Sequence, residues 1–510
     1  MKRRKALRWT LLGVGGGVGA LALGGGGTLA YFWSKAKVDT VGKVDFDTPL
    51  AVPPLAESET DSAGSRVFNL DIRASSTRFK SGSATETWGI NQDYLGPTIR
   101  ARRGEEVAFA ISNSLDEETS IHWHGMHLPA VMDGGPHQAI APGQVWAPQW
   151  TIDQPATTLW YHPHPHGQTA RHVLNGLSGL FIIDDDEADG LNLPRTYGVD
   201  DVPLVVQDRK FDDANQFETT NFFLGSQGWM GDEILVNGTL GPYFEVSTRL
   251  VRLRLLNGSN SRLYNFGFSD DREFSLVGTD GGLLSEPWET DRIQLSPGER
   301  AEIVVAFEPG ETVDLRSYEA DFGYFGPFSR ANGGDDRFDV CRFRAAGSLA
   351  DETEIPDRMA AAPDVDGDDF AEERSFVLSG LSNINGESMD MQRIDFGVRV
   401  DTTEMWEVKS NDNYLHSFHV HDVQFQVLTV DGDTPPPFLC GWKDTVYLQP
   451  QKKYRLAMRF ADYTDPNLPY MYHCHILAHE DLGMMGQFVV LGEGDEVGTV
   501  PEGSTVHDHY

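Results

Sequence analysis

At 510 residues the chain exceeds what one hydrophobic core fills, and it predicts two to four domains. With 77 acidic against 41 basic residues its formal charge is −36, which excludes nucleic acid and anionic membrane surfaces as partners held by charge. Three cysteines, Cys341, Cys440 and Cys474, exclude a disulfide framework.

The chain opens "MKRRKALRWTLLGVGGGVGALALGGGGTLAYFW", a twin arginine (Arg3-Arg4) ahead of a weakly apolar, glycine-rich stretch. Residues 1–36 therefore read as a twin-arginine export signal, which places the protein outside the cytoplasm: periplasmic, on the cell envelope or secreted. Both "ALA" at 20–22 and "SKA" at 34–36 offer small-residue cleavage sites. Uncut, the segment would attach the protein to the membrane as an anchor. Residues 37–65, with "TPLAVPPLAESETDSAGS", read as an extended linker.

Three blocks of short β-rich runs between Gly, Pro, Asn and Asp turns follow, at 66–190, 200–348 and 374–495, before a C-terminal tail at 496–510. "RVFNLDIRAS", "RAEIVVAFEPG" and "VQFQVLTV" are typical runs. The acidic stretches "DDDEADGLNLPRTYGVDD" and "ADETEIPDRMAAAPDVDGDDFAEE" divide the blocks. The texture predicts an all-β chain of three sandwiches of about 120 to 150 residues each.

Sixteen histidines are distributed unevenly, with none between His172 and His416. The middle block then reads as a spacer or a wall on the substrate side. Four clusters carry the rest of the signal: "HWHG" at 122–125, "WYHPHPHG" at 160–167, "HSFHVH" at 416–421 and "HCHILAHEDLGM" at 473–484. Each contains His-X-His, which sets two imidazoles on one face of a strand. Two such pairs in each outer block predict that those blocks meet around a shared metal cluster, and eight imidazoles can hold three copper ions with positions open to dioxygen.

The last cluster holds a second chemistry. In a strand His473 and His475 point one way and Cys474 the other. A thiolate, two imidazoles and a weak axial thioether describe a blue copper site. Cys474, His479 and Met484 supply three of these ligands, and His416 the fourth. An electron taken at Cys474 reaches the cluster through the adjoining peptides.

These four motifs, in this order, resemble those of the multicopper oxidases, which include laccases, bilirubin oxidases and bacterial cuprous oxidases. The likeness spans about residues 66–491, with "HPHPHGQTARHVLNGLSGLFIIDDDE", "GWKDTV" and "HCHILAHEDLGMMG" most similar to the cuprous oxidase and bilirubin oxidase branch. It implies three cupredoxin-like Greek-key domains and four copper ions: one type 1, one type 2 and two type 3. His122 and His419 would bind type 2 copper. His124, His162 and His475 would bind one type 3 copper, and His164, His421 and His473 the other. His416, Cys474, His479 and axial Met484 would bind type 1. By its local HxHG spelling "HPHPHG" also reads as His164 and His166, whereas the family pattern of an aromatic pair before the first ligand favours His162 and His164. His127, His137, His166, His172, His507 and His509 read as bystanders. Complete ligand positions separate the chain from family members that act as scaffolds without copper.

The resemblance further implies that Glu480 and Asp133 relay protons for oxygen reduction. Asp412, four residues before His416, is placed to accept an imidazole hydrogen bond or to meet a cationic substrate, with Asp444 as a weaker candidate behind the ligands. Dioxygen and a small organic reductant or Cu(I) are the expected partners, and the chain is expected to act as a monomer. The alternatives are a cuprous oxidase dedicated to copper tolerance and a non-catalytic copper-binding scaffold of the cell envelope. The 350–374 stretch lacks the methionine-rich insert of copper-resistance enzymes, having only Met359, while "ESMDMQ" at 387–392 could still serve a soft cation. Cys341 and Cys440 are left either to form one bridge or to stay as two thiols.

Overall fold

The structure is a computed structural model and describes residues 37–219, 228–351, 353–361, 365 and 369–501. The twin-arginine segment and the terminal His507 and His509 lie outside the described residues. Among the described residues no helix is long and apolar enough to cross a membrane.

Period-two burial builds the sheets. In Glu106–Asn113 the side chains of Val107, Phe109 and Ile111 are buried while those between them are partly exposed. Two sheets close on each of three cores. The first core joins Phe68 and Phe109 of one sheet to Trp123, Tyr161 and Phe181 of the other. The middle core centres on Leu253, Phe266, Ile303 and Phe343. The third includes Trp406, Phe418, Tyr470 and Phe488, and Cys474 and Met484 sit inside it. The fold is thus the all-β triple sandwich that the strand pattern predicts.

Residues 37–65 run extended but are stitched into the domains. Thr48–Pro49 pairs in parallel with Pro242–Thr248 of the middle sandwich, and Ser58–Thr60 pairs with Arg66–Thr77 of the first. Cys341 and Cys440 form no bridge: Cys341 is buried in the middle core, and the exposed Cys440 thiol points at the Pro435 and Pro436 carbonyls.

Register places the histidine motifs. His122–His124 pairs antiparallel with Thr157–His162, with His162 opposite His122. In the third sandwich Ser417–Val420 pairs antiparallel with Tyr470–Cys474, with His419 opposite His473 and Phe418 opposite Cys474. Two strand pairs, one from each outer domain, therefore present their imidazoles to one junction.

Two clamps hold that junction. The Asp481 carboxylate, from helix Leu477–Asp481 of the third domain, accepts hydrogen bonds from Thr169 N (2.7 Å) and Ala170 N (3.1 Å) at the start of helix Thr169–Asn175 in the first. The second clamp is His127, whose Nδ1 lies 2.8 Å from Asp422 Oδ1, with Asp462 Oδ2 3.9 Å from Nε2 and the Tyr463 ring beside it. Burial alone would lower the His127 pKa, but the Asp422 carboxylate outweighs it and raises the imidazole to about 9. A folded-state pKa above the unfolded value of roughly 6.5 gives stability that is complete below that value and lost as pH rises through about 9. Melting temperature measured from pH 6 to 10 is expected to fall more steeply over that window in the wild type than in His127→Gln.

Candidate metal centre

Eight imidazoles gather at the junction of the first and third domains, all essentially without solvent exposure. His122 stacks on His421 and His124 on His419, each with ring centroids 3.8 Å apart. Nε2 of His164 and Nε2 of His421 each lie 3.2 Å from Nε2 of His473. The ring centroids of His124, His162 and His475 stand 4.9 to 5.7 Å from one another. Donor atoms approach within 4.8 Å in the sets His122, His124, His162; His122, His419, His421; and His164, His421, His473.

The outer nitrogen of most rings is held by a fixed acceptor. His122 Nδ1 donates to the Asp133 carbonyl (3.0 Å), His421 Nδ1 to Asp133 Oδ2 (2.8 Å) and His419 Nδ1 to the Asp444 carbonyl (2.8 Å). His162 Nδ1 donates to the Pro163 carbonyl (2.9 Å), and His124 uses Nε2 for Asp444 Oδ1 (3.0 Å). The inward nitrogens are left over: His122 Nε2, His124 Nδ1, His162 Nε2, His419 Nε2 and both nitrogens of His475 are buried without a hydrogen-bond partner. An orphaned buried polar atom is costly, and a row of convergent ones fits metal ions that take the lone pairs. Burial first, then crowding by neighbouring imidazoles, drives His124, His164, His419 and His421 well below the usual histidine pKa. Neutral imidazole is the ligand form.

A separate donor set lies on the other side of the same strand. Cys474 Sγ is 3.7 Å from Nδ1 of both His416 and His479, and Met484 is fully buried in the same core. Burial pushes the Cys474 thiol up to about 12, so only a bound cation would take its proton at neutral pH. His416 turns Nδ1 to the sulfur because its Nε2 donates to Asp412 Oδ1 (3.1 Å). That carboxylate also accepts from Gly380 N (2.6 Å) and Tyr414 N (2.9 Å). It therefore holds the ring, while about a quarter of its side chain stays exposed (26%).

Other expected residues fall as follows. His166 is exposed, and it is His162 and His164 that converge on the cluster. His137 pairs with Gln487, and His172 with Thr119 and Glu117. Glu480 is buried with its oxygens 3.5 Å from His164 Nδ1 and 3.3 Å from His473 Nδ1. Burial, then the neighbouring Asp481, raises its pKa well above the carboxylate range. "ESMDMQ" is tied to the turn before Met484, with Met389 N donating to the Gly483 carbonyl at 2.9 Å.

Sequence reasoning missed Arg300, whose guanidinium grips Asp444 from the middle domain, and the Trp160 ring stacked on His162 at 4.1 Å. The aromatic pair before His162 was a legible signal for Trp160, whereas nothing adjoining Arg300 marked it.

A triple sandwich with a nitrogen-rich cluster and a separate Cys-His-His site has the donor sets of a copper-binding protein. Family profiles described as multicopper oxidase match residues 71–188, 207–314 and 354–493, and the chain belongs to the multicopper oxidase family. It is 35% identical to the multicopper oxidase mco of Staphylococcus haemolyticus, across 86% of this chain and 91% of that one. It is 36% identical to the cell division protein FtsP of Escherichia coli, across 87% and 92%. The crystal structure of a laccase from Pediococcus acidilactici superposes with a TM-score of 0.80 at 36% identity, covering 88% of this chain and 95% of that one.

The segment behind His122 tolerates little change. Gly134 has φ of +77°, and a Cβ there would collide with the Ile121 carbonyl and stand 3.0 Å from the His122 Cα. Gly134→Ala is expected to cost about 1–3 kcal/mol or more in urea unfolding, because strand and loop must separate.

Proposed function

We propose that the protein is an oxidase that draws four electrons, one at a time, from phenols, aromatic amines or Cu(I) and passes them to dioxygen, giving water. The observation that carries this reading is that both donor sets are filled and meet at one strand, through His473, Cys474 and His475. His416, Cys474, His479 and Met484 would hold type 1 copper; His122 and His419 type 2; and His124, His162, His475 with His164, His421, His473 the type 3 pair. When bound, the coppers supply one-electron acceptance at the first site and multi-electron oxygen reduction at the cluster.

The protein's own contribution is placement. Peptide bonds from Cys474 to His473 and His475 give the shortest covalent route between the two sites. Asp412 orients His416, and Asp133 orients His421 and His122. The carboxyl of Glu480, buried against His164 and His473, is positioned to hold a proton at the cluster's edge and release it during oxygen reduction. Tyr414, close in the chain to His416, has the Phe328 ring beside it (6.1 Å), and the segment carrying Met389 and Met391 is tied by its backbone to Gly483, next to Met484. That mixture supports breadth across organic donors together with Cu(I). Export through the twin-arginine segment would put the enzyme where both are met.

A second reading, a non-catalytic cell-envelope scaffold, draws on the likeness to a cell division protein. Oxygen uptake by copper-loaded protein separates the two: consumption with a phenol and with Cu(I) is expected, and none with either donor would leave the scaffold. Cys474→Ser should abolish the blue absorption while metal analysis still finds copper at the histidine cluster, since only the thiolate produces that band. Glu480→Gln is expected to slow reoxidation by dioxygen about 10²- to 10⁴-fold, yet to leave anaerobic reduction of the blue site unchanged in stopped flow.

A further inference from the structure

The middle domain has no histidine, but one of its side chains reaches the cluster. Arg300 opens strand Arg300–Ala306 and is fully buried together with Asp444. Its guanidinium forks onto the carboxylate, Nη1 to Oδ1 at 2.7 Å and Nη2 to Oδ2 at 2.6 Å. Its other three N–H groups go to the carbonyls of Thr158 (3.0 Å), Gly298 (3.0 Å) and Asp280 (2.8 Å). Every donor a guanidinium possesses is therefore used, and the plane of the fork has no freedom left. Asp444 Oδ1 in turn accepts from His124 Nε2 (3.0 Å) and from the Thr445 hydroxyl (2.8 Å). With Nε2 committed outward, His124 presents Nδ1, buried and unpartnered, to the cluster. Gly125, directly after His124, has no Cβ where one would collide with Asp444 Oδ2 and stand 2.9 Å from Arg300 Nη2.

We infer that Arg300 is a positioning residue of the histidine cluster, fixing the Asp444 carboxylate that sets which nitrogen His124 offers to metal. The cluster would then depend on all three domains, not on the two that supply histidines. This rests on the reading that the histidine cluster holds copper.

The test is chelator competition on copper-loaded full-length protein, comparing wild type, Arg300→Gln and Arg300→Lys. Blue absorbance reports the Cys474 site, and total copper with electron paramagnetic resonance reports the cluster. Lysine keeps the buried positive charge, and so the fold, but cannot form the fork. Loss of a partner behind a metal ligand typically costs about 10- to 100-fold in affinity. Both variants are expected to release cluster copper at a correspondingly lower chelator concentration, glutamine more readily than lysine, with the blue absorbance held as in wild type. Cluster copper retained by Arg300→Lys as tightly as by wild type would overturn the inference. So would equal loss at both sites, which would make Arg300 merely structural. Wild-type protein that takes up no cluster copper would refute the underlying copper reading itself.

Discussion

Three consecutive residues, His473, Cys474 and His475, cannot all serve one metal from an extended strand, and the rest of the molecule follows from that geometry. Alternation sends the imidazoles to one side and the thiol to the other. Each side then needs partners at a fixed distance. The neighbouring strand meets the requirement with the same arithmetic: His419 and His421 share a face, and His416, an odd number of residues away, falls on the opposite one. Phe418 stands opposite Cys474 and His419 opposite His473, so the split runs through both strands in register. The third domain alone completes the Cys474 site, whereas its cluster-facing imidazoles still lack company.

That company comes from the first domain, and its cost explains the surrounding carboxylates. Eight neutral imidazoles packed without solvent leave many polar atoms to satisfy. The outer nitrogens are met by acceptors fixed in backbone or in buried side chains, notably Asp133 and Asp444. Several inner nitrogens, those of His122, His124, His162, His419 and His475, have no protein partner, which is the arrangement a metal would complete. Because Asp133 and Asp444 each touch two rings, a small shift in either would misdirect both. The buried Arg300 fork and the tight Gly134 turn, each next to one of these acids, keep that shift small.

How much of this was legible in the sequence depends on whether the interaction is local. His-X-His pairs, the cysteine between two histidines and Asp412 four residues before His416 all act within one strand or turn, so spacing alone places them. The three-sandwich plan was legible for the same reason, through period-two runs such as Glu106–Asn113. Arg300 and Asp444 are 144 residues apart; "GWKDTV" marked Asp444 but nothing marked Arg300, and their pairing exists only after two domains dock. The middle domain, read as a spacer or a wall on the substrate side, also lends a buried arginine to an acid beside the cluster. Residues 37–65 read as linker because two- and three-residue strands leave no periodic signal. Asp412 left two roles open in the sequence. The structure gives it three hydrogen bonds, from Gly380, Tyr414 and His416, which commit it to orienting that imidazole while part of the carboxylate stays exposed.

That commitment bears on what distinguishes this chain within its family. Overall likeness does not decide function here, since relatives named as an oxidase and as a cell division protein are equally similar at 35% and 36% identity. The fold is common to all of them. What carries chemistry is the donor atoms and the groups that aim them, and these can be lost one by one without disturbing a sandwich core. In this chain each cluster imidazole is present and buried, the Cys474 thiol stands 3.7 Å from His416 and from His479, and Met484 shares its core. Keeping so many buried nitrogens without partners is a standing cost to stability that packing with apolar side chains would remove. A sequence that bears this cost at several of the cluster imidazoles, and braces one of them through a buried arginine from a third domain, is organised around binding metal and not around stability alone.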